Sequence, residues 1–78
     1  MPPARTTTQT TTGSRIRSER EAQGLSIEGL SFKAGVSYKT IERIEAGGSE
    51  PRRATLKVIA DALGKPVEFF DPARVGVA

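Results

Sequence analysis

Tyr38, Lys39 and Arg43 place a phenol, an ammonium and a guanidinium within one short stretch, just behind the hydroxyl of Ser37. Lys39 and Arg43 are four residues apart, so in a helix they share a face. These groups donate hydrogen bonds, and two of them carry positive charge. A short helix that turns such groups outward, with its inner face held by a core, suits the DNA major groove. Arg43 is the best placed to read guanine through two parallel hydrogen bonds, and Lys39 to reach a base or a phosphate. Tyr38 offers its ring to a thymine methyl or its hydroxyl to a phosphate. Ser37 caps the helix and touches phosphate. Thr40 and Glu42 are expected to serve packing, helix solubility or a local ion pair.

The apolar positions around these residues supply the inner face. Leu25, Ile27, Leu30, Ala34, Val36, Ile41 and Ile44 divide into two short amphipathic segments separated by Gly35. Ser26 and Ser37 are natural N-caps for helices over about 27–33 and 38–45. Gly35 supplies the left-handed residue between them. Upstream, Ser14 is read as the cap of a first helix over about 15–23, stopped by Gly24. Its inward line holds Ile16 and then an arginine, Arg20, a placement that requires a buried partner. Downstream, Gly47 and Gly48 open a loop to Pro51. A helix follows with a 3.6-residue stripe of Leu56, Ile59, Ala60 and Leu63, ended by Gly64. Val67 to Phe70 form a short last helix, with Phe69 or Phe70 closing the core. The expectation is an all-α domain of five helices over residues 14–72. Residues 1–13, rich in Thr and Pro, read as a disordered arm, and 73–78 as a flexible tail.

The composition narrows the chemistry. The 78 residues contain no cysteine and no histidine, which removes thiolate and imidazole zinc sites, disulfides and histidine-based triads. No catalytic residue, metal ligand set, cofactor or small-molecule effector is expected. No apolar run approaches the roughly 18 residues of a membrane span, and the N-terminus lacks a secretory signal pattern; a cytoplasmic protein is expected, nucleoid-associated when bound to DNA. The net charge is +3, but residues 25–50 hold three Lys/Arg against four Asp/Glu. Any charge that grips phosphate must therefore come from Arg15, Arg17, Arg52, Arg53 and Lys57.

From Arg15 to Asp71 the chain resembles the phage repressor/Cro-like helix-turn-helix family, also called the xenobiotic-response-element type. The matching text is RIRSEREAQGLS, then L-x-x-x-A-G-V-S-x-x-T-I-x-R-I-E-x-G from Leu30 to Gly47, Pro51, Thr55-Leu56 and I-A-x-A-L-G from Ile59 to Gly64. The resemblance implies a compact repressor-like fold with its helix-turn-helix at the second and third helices. It implies that the helix over 38–45 is the recognition helix, with Tyr38, Lys39 and Arg43 facing bases. Ser37, Arg15, Arg52 and Arg53 would hold phosphate. It also accounts for Arg20, which in such domains pairs with the glutamate ending the third helix, here Glu45.

The implied function is sequence-specific binding of double-stranded DNA by a small bacterial or phage transcriptional regulator, most simply a repressor. One module reads few base pairs, so a homodimer on a pseudo-palindrome is expected, using the segment around Val67–Phe70 or the tail. The chain departs from the family pattern at four positions. Ile27 stands where a glutamine is usual, Ser31 where an alanine is, Phe32 where a polar residue is common, and Arg53 where an aliphatic is. Ile27 is expected to pack against Tyr38, and an exposed Phe32 would contact a partner. These departures keep open a protein-interaction adaptor built on the same fold. The DNA-binding part of an antitoxin or recombination-accessory system is a further alternative.

Overall fold

The computed structural model describes residues 11–48 and 50–70. They form five helices: α1 Thr12–Ala22, α2 Ile27–Ala34, α3 Tyr38–Glu45, α4 Arg53–Leu63 and α5 Val67–Phe70. The all-α, five-helix expectation holds, with α2 and α3 forming the helix-turn-helix.

The helix boundaries follow local chemistry. Ser26 and Ser37 accept from the backbone N–H groups of Gly29 and Thr40, each three residues on, satisfying donors that a helix start leaves free. Gly35 and Gly64 end α2 and α4 at φ of 73° and 72°. That left-handed backbone is costly for any residue with a Cβ.

The start of α1 differs from expectation. Its N-cap is Thr11 rather than Ser14. The Thr11 hydroxyl accepts from the Ser14 N–H, and the Ser14 hydroxyl accepts from the Thr11 N–H in return. This reciprocal box adds three residues to the helix and draws Thr12 and Gly13 into the interior. Residues 11–13 therefore belong to the folded domain. The rest of the Thr-rich arm and the tail over 73–78 lie outside the described residues.

The core gathers Ile16, Leu30, Ile41, Ile44, Leu56, Ile59, Ala60, Leu63 and Phe70. Each fully buried large side chain contributes about 1.5–3 kcal/mol of transfer free energy, a necessary supply in so small a domain. α2 packs on α3 and α4, while α1 packs on α3, α4 and α5. Phe70 is the ring that closes the core; Phe69 stays partly exposed and meets it edge to face, centroids 5.0 Å apart.

Candidate nucleic-acid interface

α3 is fixed from beneath and open above. Ile41 and Ile44 are buried, whereas Tyr38, Lys39, Thr40, Glu42 and Arg43 are exposed. The helix is eight residues long, so a rigid inner face alone cannot set its direction; both ends must also be held.

The N-terminal end is held by the turn. Ser31 is the hinge of that turn: its carbonyl accepts from the N–H groups of Gly35 and Val36, at 2.9 and 3.1 Å. Its hydroxyl donates to the Val36 carbonyl at 2.6 Å. The serine that replaces the family's usual alanine thus ties the turn to the end of α2. Ser37 then caps α3, and its hydroxyl donates to the Thr40 hydroxyl at 2.8 Å. Thr40 is therefore exposed and bonded to the cap, not packed inside. Ile27 lies half-buried against the core.

The C-terminal end is held by Arg20. Its Nε and Nη2 donate to the two carboxylate oxygens of Glu45 at 2.8 and 2.9 Å, and its Nη1 donates to the Leu25 carbonyl at 2.8 Å. The two side chains are only 9% and 5% exposed. The hydrogen bond to Glu45 raises the guanidinium's pKa further above its ordinary value, against the opposing effect of burial. One arginine thus joins α1, the α1–α2 turn and the end of α3. Beside it, the Gly13 backbone lies directly against the backbone of Ile44 and Glu45.

The cations divide by position. Arg43, Arg52, Thr40, Glu50, Pro51 and Thr55 line one shallow cleft along α3. Arg53 instead lines a second cleft with Thr12, Glu50, Pro51, Leu56 and Val67. Arg52 is the extended N-cap of α4 and Arg53 its first helical residue, and the change of backbone direction between them sends the two arginines to two sides. Arg17 and Lys57 lie in exposed i, i+4 pairs with Glu21 and Asp61. Among the described residues, Lys39, Arg43, Arg52 and Arg53 form no ion pair within 4.0 Å.

Arg15, expected to face phosphate, is turned to the last helix. Its Nη1 donates to the Phe69 carbonyl at 3.2 Å, and its Nε is buried without a partner. Phe32, by contrast, is 91% exposed on α2. No helix among the described residues is long and apolar enough to cross a membrane.

Comparison with known proteins agrees with this geometry. A helix-turn-helix family model matches residues 16–70. An HTH-type transcriptional regulator of Sinorhizobium medicae is 36% identical over 58 residues, covering 74% of this chain and 42% of the relative. A transcriptional regulator in the ATPase CF(0) region of Rhodospirillum rubrum is also 36% identical over 58 residues, covering 74% of this chain and 54% of the relative. The chain thus spans about half the length of these curated relatives. Among solved structures, the restriction-modification controller protein C.AhdI from Aeromonas hydrophila superposes with a TM-score of 0.75 at 28% identity, covering 78% of this chain and 92% of that one. The family model spans the capped turn, the Arg20–Glu45 pair and the closing Phe70, and the chain belongs to this repressor/Cro-like helix-turn-helix family.

Proposed function

We propose that the chain binds double-stranded DNA in a sequence-specific manner as a small transcriptional regulator, acting in the cytoplasm at the nucleoid and most simply as a repressor. The observation that carries this reading is the shared cleft of Arg43 and Arg52, with Lys39 and Tyr38 exposed on the same short helix. α3 enters the major groove, and Arg43, Lys39 and Tyr38 meet base edges. Ser37 and Arg52 hold phosphate on that side. Arg53, in the second cleft, reaches phosphate only at the margin of the interface, and Arg15 has at most a minor part. Two copies bind together, their half-sites about one helical turn apart.

The test is selection of sites from a random duplex pool, followed by affinity measurements across salt. A recovered pseudo-palindrome, bound with an affinity that falls steeply as salt rises, supports the reading. Undetectable binding at low ionic strength refutes it. The 91% exposure of Phe32 favours a second reading, an adaptor that docks another protein; that reading takes over if duplex DNA is not bound.

A further inference from the structure

The two clefts that flank the start of α4 share one wall, Glu50 and Pro51. Glu50 is exposed, and among the described residues it forms no ion pair within 4.0 Å. Glu50 thus lines the same surface as Arg43 and Arg52 on one side and Arg53 on the other, without an ion pair to any of them. A phosphate that meets Arg52 there also meets this negative charge. Resting on the DNA-binding reading above, we infer that Glu50 sets the level of backbone binding, weakening it for every sequence alike by charge repulsion.

Phosphate contacts carry affinity for every sequence alike, whereas base contacts separate one sequence from another. A carboxylate among the phosphate-binding arginines subtracts from the first and leaves the second untouched. It lowers residence on random and selected DNA by the same factor, so weak non-specific sites empty while the site read by Arg43, Lys39 and Tyr38 stays occupied. Pro51 fixes its own φ and restricts the backbone of Glu50 before it to the extended region.

The test uses Glu50→Gln, which keeps the side chain's size and removes its charge, in the full chain against random and selected duplexes. Both affinities rise by a similar factor, about three- to tenfold at low salt, as expected for a like charge a few ångströms from phosphate. The gain shrinks toward unity as salt is raised, because the repulsion is screened. Glu68→Gln removes the same charge from α5, outside both clefts, and changes either affinity by less than about twofold. Unchanged or weaker binding by Glu50→Gln, on DNA that the unaltered protein binds, overturns the inference; so does a gain confined to one base position, or an equal gain from Glu68→Gln. Failure of the unaltered protein to bind any duplex is a different result, and it removes the DNA-binding reading itself.

Discussion

Gly13 and Ile44 meet backbone to backbone: a Cβ built on Gly13 would overlap the Ile44 carbonyl oxygen and stand 3.2 Å from the Glu45 Cα. Neither backbone can yield easily, since one belongs to the first turn of α1 and the other to the last turn of α3. Gly13→Ala therefore forces the two helices apart, at a cost of about 1–3 kcal/mol. Gly48→Ala is the matched comparison, because its Cβ would find the Arg43 Cγ at an ordinary 3.5 Å. Its change stays within about 0.5 kcal/mol. Urea denaturation of the two variants checks the contrast, and equal stabilities would contradict it.

The Arg20–Glu45 pair holds the same end of α3 by charge. Removing either partner leaves the other buried and unmatched, so Arg20→Ala and Glu45→Ala each cost on the order of 3–5 kcal/mol. Arg20→Lys does not restore the loss, because an ammonium cannot serve both carboxylate oxygens and the Leu25 carbonyl in the planar geometry of a guanidinium. Thermal melts of the three variants measure this. A melting temperature unchanged by Arg20→Ala is the contrary outcome.

Ser31→Ala restores the family's usual residue and is nonetheless destabilising here. It deletes the 2.6 Å bond to the Val36 carbonyl, a loss of about 0.5–1.5 kcal/mol. Hydrogen exchange locates the effect: protection falls in the turn between α2 and α3 more than in α4. Uniform loss across the domain would argue against a local role for the hydroxyl.

The three arginines around the clefts have separable effects on binding. Arg43→Ala relaxes selectivity at one base position by about 1–3 kcal/mol. Arg52→Ala weakens all sequences alike and lowers the salt slope by about one. Arg53→Ala does so to a smaller extent, because its side chain lines the other cleft. Salt titrations on selected and random duplexes tell these apart, and identical effects of Arg52→Ala and Arg53→Ala would contradict the two-sided placement.

What could be read from the residues, and what could not, follows the range of the forces involved. Ser26, Gly35, Ser37 and Gly64 act on their immediate neighbours, so their residue types announced the boundaries of α2, α3 and α4. Arg20 was legible for another reason: a cation on an inward line demands an acid, and the resemblance supplied Glu45. Thr11, Thr12 and Gly13 looked like the end of a low-complexity arm. Their inclusion rests on the Thr11–Ser14 box, hidden in a run of threonines any of which offers the same hydroxyl, and on the approach of Gly13 to Ile44, thirty-one residues later, which no local pattern signals. The bond from Arg15 to the Phe69 carbonyl was hidden for a similar reason, since its partner lies fifty-four residues further along the chain. Arg52 and Arg53 looked equivalent as neighbours, and only the change from an extended N-cap to helical backbone between them separated them.

Arg52 occupies the N-cap of α4, and its side chain makes no capping hydrogen bond. Asp, Ser or Asn at that position would satisfy an unpaired helical N–H and stabilise the domain by about 1 kcal/mol. Selection for heat resistance alone would therefore replace Arg52, and it would discard the phosphate contact proposed for it in doing so. The residue marks a point where durability and activity oppose each other. Lineages exposed to heat would have to recover stability elsewhere in the chain before this arginine could be kept.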